Sequence, residues 1–208
     1  MNRINFKKIN LIISIIFNYR SYLVLSYRLG WWHINSFSDS PYVADVVAHL
    51  NRSVIRNSVL DIGCGLCSIL RRINYREKKA FDRKQNILKA ARLVSRFHNI
   101  GNEISFERFD LKTDRVTGKF DAVIMINYVH NINPDEFKQI IRRIYYENLN
   151  SLGEIIFDTV SFKAKQYPFN HDANHLVNDL DGSLVLIGRY EFGRSVYSFK
   201  KNSTTEWE

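Results

Sequence analysis

Cysteine and proline are scarce in this chain of 208 residues, which holds two cysteines and three prolines. Two cysteines cannot build the disulfide framework of a small secreted domain, so the count points to a reducing compartment. Cys64 and Cys67 have Cys-x-x-Cys spacing, but no second pair follows, and a structural zinc site needs four ligands. The sequence therefore predicts no metal site, and we interpret both cysteines as small side chains within a glycine-rich turn.

Apolar runs long enough to cross a membrane are also lacking. The run LIISIIF at residues 11–17 is followed by Asn18 and Arg20, whereas a spanning helix needs about 20 apolar residues. We expect residues 1–38 to form a basic, helical extension and residues 39–208 to form one domain. The extension would either pack on the domain and cover its pocket or lie as an amphipathic segment on a membrane surface.

The charge balance is the unusual part of an otherwise ordinary composition. Hydrophobic residues make up 45% and charged residues 25% of the chain, which is typical of soluble proteins, but the formal net charge is +9. Such a charge favours acidic partners, namely phosphorylated substrates, nucleic acid or anionic lipid, without choosing among them. The expected location is the cytoplasm, with peripheral membrane contact as an addition.

Short apolar segments alternate with helical patterns along the chain. Five candidate strands, most of them ending in glycine or an acid, lie at residues 58–63, 78–82, 104–110, 121–129 and 154–160. Such alternation predicts an α/β fold with a parallel sheet that helices cover on both faces. Two further segments, SLVLIGRYEF and SVYSFKK, are separated only by Gly193 and Arg194, so they must form an antiparallel hairpin.

Capping residues delimit three predicted helices. Asn133 and Pro134 begin the helix NPDEFKQIIRRIYYENLN, and Ser40 begins the helix SPYVADVVAHLN. The segment RKQNILKAARLVSRFHNIG has a helical apolar stripe, which Asn99 and Gly101 would close as a C-cap.

Acidic residues lie at the carboxyl ends of three successive predicted strands: Asp61, Asp82 and Asp110. Ligands of open parallel sheets bind outside the carboxyl ends of the strands, where Gly63 and Gly65 would let the backbone approach closely. Asp61 would repel a pyrophosphate but attract an amine, and Asp82 stands where a carboxylate accepts hydrogen bonds from ribose hydroxyls. Together with an adenine amino group near Asp110, these groups describe S-adenosylmethionine.

Five segments together resemble the class I S-adenosylmethionine-dependent methyltransferases: VLDIGCGLCSILRRI, AFDRKQNILKAAR, FERFDL, FDAVIMINYVHNI and LNSLGEIIFDTV. The resemblance covers roughly residues 40–201. It implies a three-layer Rossmann-like sandwich with a mostly parallel seven-stranded sheet whose last strand is antiparallel.

The resemblance also implies the cofactor site, with S-adenosylhomocysteine as the product. Four residues of the turn would hold the methionine part, namely Asp61, Gly63, Cys64 and Gly65. Asp82 would bind the ribose, with Arg83 beside the adenine; Asp110 and Leu111 would contact the adenine base; Asn127 would line the pocket. Where the family usually has a third glycine, this chain has Cys67.

The acceptor side is less defined by the sequence. The segment INYVHNIN lacks the Asn/Asp-Pro-Pro-aromatic signature of nucleobase amino-methyltransferases, which argues against a DNA substrate. His130 is a candidate general base, since many similar small-molecule enzymes have a histidine there, or a structural residue of its loop. His171 and His175, in an insertion with Asp172, are further candidate bases, and a metal role for them is the less favoured alternative.

These residues predict an enzyme that transfers a methyl group to an oxygen, or alternatively a nitrogen, of a small-molecule biosynthetic substrate such as a sugar, lipid precursor or secondary metabolite. The acceptor could be anionic or linked to a membrane. Two alternatives stay open: a methyltransferase for RNA or protein, and a non-catalytic binding module with the same fold. Trp31 and Trp32 would either pack in the core or place one ring over the cofactor or acceptor.

Overall fold

The computed structural model describes residues 19, 21–30, 40–97, 103–161 and 167–203, and all statements below concern these residues. Seven strands form one sheet: β1 (Ser58–Ile62), β2 (Glu77–Asp82), β3 (Ile104–Arg108), β4 (Phe120–Met125), β5 (Leu149–Val160), β6 (Gly182–Tyr190) and β7 (Arg194–Lys201). Their order is β3-β2-β1-β4-β5-β7-β6. Strands β1 to β5 pair in parallel, and β7 lies antiparallel between β5 and β6. The predicted fold class is confirmed.

Helices connect and cover the strands: α1 (residues 21–27), α2 (Pro41–Arg52), α3 (Gln85–Phe97), α4 (Pro134–Arg143) and α5 (Ala173–Val177). The Asn133 side chain caps α4 by accepting a hydrogen bond from the Asp135 amide at 3.0 Å, at the predicted position. The predicted helix is shorter than expected, because α4 passes into a π-helical turn (Ile144–Asn148) that leads directly into β5. Ser40 precedes α2 without a capping hydrogen bond from its side chain, and Asn99 and Gly101 lie outside the described residues.

The core consists of two apolar clusters on opposite faces of the sheet. One face packs α4 and α5 against the sheet, with Phe137 and Phe157 at its centre, and the other packs α2 and α3, with Leu50 and Leu88. Every residue of β1 and β4 is buried, as expected of central parallel strands covered on both faces.

Part of the N-terminal extension packs on the domain. Leu23 and Leu29 form an apolar cluster with Ile87 and neighbouring residues of α3, and the Asn86 side-chain amide donates to the Tyr27 carbonyl at 2.7 Å. No helix in the described ranges is both long and apolar enough to cross a bilayer. The predicted boundary at residue 38 lies outside the described residues and stays a prediction.

Two connections lack the helix that a regular alternation would place there. After β1, residues 65–72 form successive turns, and Cys67 among them adopts a left-handed backbone conformation with φ 58°. Between β3 and β4, residues 109–119 form turns and extended backbone only. The second irregularity leaves one flank of α4 uncovered.

Candidate active site

The turn after β1 is hydrogen-bonded to the neighbouring strand, β2. The amides of Gly63 and Cys64 both donate to the Phe81 carbonyl of β2, at 2.8 and 3.0 Å. Gly63 and Gly65 have positive φ values of 80° and 52°, a backbone region that residues with side chains seldom adopt. The turn predicted to hold the methionine part is thus a closely packed backbone loop at the carboxyl ends of β1 and β2.

Two carboxylates lie beneath this turn with little exposure to solvent. Asp61 is 5% exposed and Asp82 is 7% exposed. Burial, followed by the negative charge of Asp82, raises the pKa of Asp61 to about 7. Burial also raises the pKa of Asp82. The Lys84 amide donates a hydrogen bond to this carboxylate at 2.9 Å, which partly opposes the rise. Two adjacent acids in a low dielectric favour a cationic ligand, which fits the ammonium and sulfonium charges of S-adenosylmethionine.

The end of β3 completes the row of acids. The Phe109 amide donates to the Asp82 carbonyl at 3.1 Å, which sets the residues after β3 beside the end of β2. Asp110 follows and accepts from the Lys112 amide at 3.1 Å, while Leu111 is fully buried. Arg83 is exposed at the same edge. The structure therefore brings together the residues predicted for the ribose and the adenine.

Tyr128 is a cleft residue that the sequence reasoning missed. A Cβ added to Gly63 would lie 2.6 Å from Cδ2 of Tyr128, so the ring rests on the glycine turn. Burial and then the charge of Asp110 raise the Tyr128 pKa, which indicates that the phenol lies towards the end of β3. The sequence signal that could have identified Tyr128 was an aromatic residue directly after the predicted pocket residue Asn127. In the structure Asn127 has a positive φ of 59°.

Beyond the cofactor cleft, a buried carboxylate joins three groups. Asp158 of β5 has no exposed surface and accepts hydrogen bonds from the Asn127 amide at 2.9 Å and from Arg194. Its second oxygen also lies 3.1 Å from Nε2 of His130, which is 1% exposed. Because an ionised carboxylate can only accept, Nε2 must carry the proton when His130 is neutral. Nδ1 of His130 then offers a lone pair, and it has no partner among the described residues.

Arg194 holds the other side of this cluster. Its Nη2 donates to Asn127 Oδ1 at 2.9 Å and to the Tyr167 hydroxyl at 3.3 Å, and its guanidinium lies 5.1 Å from the ring centre of Tyr42. Sequence reasoning missed both Asp158, which stands inside an apolar strand pattern, and Arg194, which we assigned to the hairpin connection. An acid within an otherwise apolar strand was the signal for Asp158.

The two histidines of the insertion lie in different environments. His171 is 7% exposed, its Nε2 lies 3.0 Å from the Ile132 carbonyl, and its ring centre is 6.4 Å from that of His130. Burial lowers the pKa of His171, so its ring is neutral near pH 7. The structure does not bring His175 to this cluster, since its half-exposed side chain lies 3.7 Å from Asp135 on the surface.

The remaining candidates add no metal chemistry to the site. Asp172 caps α5 by accepting from the Asn174 amide at 2.9 Å. In the described part of the chain, no three His, Cys, Asp or Glu side chains are grouped as metal ligands would be. Trp31 and Trp32 lie outside the described residues.

Comparison with known families identifies the domain. Residues 59–146 match the family described as "Methyltransferase domain". This part of the chain is similar to a methyltransferase domain. The family uses S-adenosylmethionine, and the acidic cleft and glycine turn of this methyltransferase fit that cofactor. A search of curated proteins found no match.

Solved structures share the fold at low sequence identity. A magnesium protoporphyrin IX methyltransferase from Synechocystis PCC 6803 with bound SAH is 16% identical, covering 79% of this chain and 84% of that one (TM-score 0.64). The N-methyltransferase NodS from Bradyrhizobium japonicum WM9 is 13% identical, covering 79% and 97% (TM-score 0.61). An O-methyltransferase family protein from Burkholderia thailandensis is 17% identical over 79% of this chain, which spans only 57% of that protein (TM-score 0.64).

Proposed function

We propose that this methyltransferase transfers the methyl group of S-adenosylmethionine to an oxygen atom of a small-molecule biosynthetic substrate such as a sugar, lipid precursor or secondary metabolite. A nitrogen acceptor is the alternative. The observation that carries the proposal is the buried pair of His130 and Asp158, 3.1 Å apart, with Nδ1 of His130 buried as well and without a partner among the described residues. A hydroxyl acceptor must lose a proton, and a neutral imidazole beside an ionised carboxylate suits that task.

The cofactor residues follow from the cleft. Asp61 would attract the ammonium group, Asp82 would accept from the ribose hydroxyls, and Asp110 with Leu111 would contact the adenine. S-adenosylmethionine supplies a methyl group activated by a positively charged sulfur. The protein's own contribution is to orient both reactants and to hold a negative charge near the cation.

The proton would leave through His130. As the acceptor oxygen forms its bond to the methyl carbon, the carbon–sulfur bond breaks, and its electron pair stays on sulfur. The hydroxyl proton moves to Nδ1 of His130, and Asp158 stabilises the resulting imidazolium through Nε2. Arg194 donates a hydrogen bond to the same carboxylate and so helps to hold it in place beside His130.

Structural neighbours support methyl transfer without choosing the acceptor. They include proteins named as O-methyltransferase, N-methyltransferase and magnesium protoporphyrin IX methyltransferase. The preference for oxygen rests on the histidine and aspartate pair of this chain, since a neutral amine can attack before it loses its proton.

The first test is calorimetric titration of the purified protein with S-adenosylmethionine and S-adenosylhomocysteine, alongside Asp82→Ala. Micromolar binding that the substitution abolishes would support the cofactor site and justify a screen of acceptors with labelled methyl groups. Absence of binding by the intact protein would refute the proposal and favour a non-catalytic binding module.

RNA is the main alternative acceptor, because the net charge of +9 favours a polyanion. Labelled methyl transfer to total RNA, with affinity that falls steeply as salt rises, would replace the small-molecule proposal. Methyl transfer to a small hydroxyl compound, by a protein that shows no salt-sensitive binding of RNA, would support the small-molecule proposal.

Peripheral membrane contact is a separate proposal, supported by the exposed side of α1. Tyr22 and Leu25 are 51% and 78% exposed, whereas Leu23 between them is buried. Co-sedimentation with vesicles of anionic lipid but not with neutral vesicles would support the contact, and Leu25→Ser should weaken it. Equal recovery with both kinds of vesicle would argue against it.

A further inference from the structure

A cavity of about 450 Å³ lies on the flank of α4, where no helix covers the connection between β3 and β4. One wall comes from this connection, through Leu111, Lys112 and Arg115, and the other comes from α4 and the π-helical turn after it. The volume falls in the usual range for small-molecule sites, roughly 300–1,000 Å³. The proposed methyl transfer uses none of these residues except Leu111.

Most of the charged residues that line this cavity are cationic. The lining includes four basic side chains, Lys112, Arg115, Arg142 and Arg143, and two acids, Glu136 and Glu147. Excess positive charge in a concave surface concentrates anions, since the protein walls focus the field.

Two of the four cations already have carboxylate partners. Lys112 lies 3.5 Å from Glu136, and Arg142 donates to Asp179, which lies outside the cavity lining. Neither of these two needs a ligand for its charge to be balanced. Among the remaining charged residues of the lining, the two cations Arg115 and Arg143 outnumber the one acid, Glu147.

Arg115 and Arg143 are neighbours with like charge. Burial and then the charge of Arg115 lower the pKa of Arg143, against the opposing effect of Glu147. Arg143 donates to the Leu111 carbonyl at 3.4 Å, and Arg115 has no carboxylate partner within the described part of the chain. An anion bound between the two guanidinium groups would offset the repulsion between their charges.

We propose that this cavity binds the phosphate group of a small phosphorylated molecule, with Arg115 and Arg143 as its ligands. Two guanidinium forks match the several oxygens of a phosphate better than the single charge of a carboxylate does. Tyr146, 55% exposed and 5.9 Å below the guanidinium of Arg142, provides a flat wall for the remainder of the molecule. A concave site with two cations in its lining fits a small ligand better than an extended nucleic-acid backbone, which needs a row of cations.

The test is calorimetry of the full chain with inorganic pyrophosphate and with glycerol phosphate, which carries no adenine or ribose for the cofactor cleft, in phosphate-free buffer at physiological salt. Arg115→Gln combined with Arg143→Gln is expected to weaken pyrophosphate binding by about tenfold or more, as loss of charge-assisted hydrogen bonds does. The control is Lys89→Gln combined with Arg96→Gln on α3, where both residues are exposed. It removes the same charge and is expected to change the affinity by less than about twofold, because distant charges are screened.

A second variant distinguishes loss of the site from misfolding, because it is expected to strengthen binding. Glu147→Gln removes an acid from the cavity lining, and it is expected to tighten pyrophosphate binding about twofold or more. Lack of saturable binding, or equal weakening in the cavity variant and the α3 control, would overturn the proposal. Tighter binding of a single-stranded RNA than of either small anion would overturn it as well, since the surface would then be a binding site for a polyanion. None of these results bears on cofactor binding at the acidic cleft.

Discussion

Gly63 and Tyr128 are in direct contact, and their contact leaves no space for a side chain at position 63. A Cβ on Gly63 would lie 2.6 Å from Cδ2 of Tyr128 and 2.9 Å from its Cβ and Cγ. Gly63 also has a φ of 80°, which strains any residue that has a Cβ. The shape of the turn after β1 is therefore set in part by the loop after β4.

Gly63→Ala should lower both stability and cofactor affinity. Backbone strain and the clash with Tyr128 act together, so we expect a loss of about 2–4 kcal/mol in the free energy of unfolding. Gly118→Ala is the matched control: its φ is 89°, but the nearest atom to an added Cβ is Phe120 Cζ at 3.9 Å. Urea denaturation should show a loss of only about 1 kcal/mol for the control. Similar losses for both variants would show that the contact with Tyr128 does not matter.

Asp61 should make cofactor binding depend on pH in the neutral range. Its pKa is raised to about 7 without ligand, and a bound cation favours the ionised form. We therefore expect the affinity for S-adenosylhomocysteine, measured by calorimetry, to fall as the pH drops from 8 to 6. Asp61→Asn should weaken binding at pH 8 and remove most of this dependence. The exposed residue Asp135 provides the control, since Asp135→Asn should leave the profile unchanged.

The same residue gives a stability prediction of opposite sign. Because the folded-state pKa of Asp61 exceeds its unfolded value, the stability contributed by its protonated form is present at low pH and is lost between pH 4 and pH 7. Asp61→Asn should thus stabilise the protein by roughly 1–3 kcal/mol at pH 8 and by little at pH 4. Denaturation at the two pH values tests this, and a larger gain at pH 4 would contradict it.

Parallel-sheet geometry explains which site residues could be predicted. The ends of β1, β2 and β3 lie side by side, so Asp61, Asp82 and Asp110 could be assigned to one edge from strand patterns alone. Asp158 and Arg194 could not, because their pairing depends on the antiparallel register that sets Val160 opposite Arg194. A hairpin predicts that two strands pair but leaves open which residues of a third strand they meet.

His130→Gln should slow methyl transfer without affecting cofactor binding. Loss of a general base lowers the rate about 10²- to 10⁴-fold, while the dissociation constant for S-adenosylmethionine should change by less than about threefold. Single-turnover transfer of a labelled methyl group to the acceptor found in the screen measures the rate. His171→Gln is the control, as His171 is also buried but bonds to a backbone carbonyl. An equal loss of rate in both variants would argue for a structural role of His130.

Glu154 should stabilise the fold at neutral pH through a buried hydrogen-bonded cluster. Burial alone would raise its pKa, but hydrogen bonds from His49 at 2.6 Å and Ser198 at 2.5 Å lower it instead. A lowered pKa means that this stability is present above about pH 4.5 and is lost as the pH falls further. Glu154→Gln should cost about 1–3 kcal/mol at pH 7 and less at pH 4. Urea denaturation at both pH values is the measurement, and a cost independent of pH would exclude a role for the charge.

Cys67 provides the sharpest test of how this chain departs from its family. It stands where a third glycine is usual, is fully buried, and has a φ of 58°. Glycine at this position would relieve the left-handed strain, which costs roughly 1–2 kcal/mol, but it would also remove the buried thiol. Cys67→Ala removes the thiol and keeps the strain, so the difference between the two variants isolates the backbone.

We expect Cys67→Gly to be more stable than Cys67→Ala by about 1 kcal/mol in urea denaturation. Both variants should keep their affinity for S-adenosylhomocysteine if the thiol only fills space. Equal stability would mean that the turn relaxes around alanine, and weaker binding by both would mean that the thiol itself shapes the turn beside Gly63 and Gly65. In either case the comparison tests whether the left-handed backbone at Cys67, with its φ of 58°, carries a cost in stability.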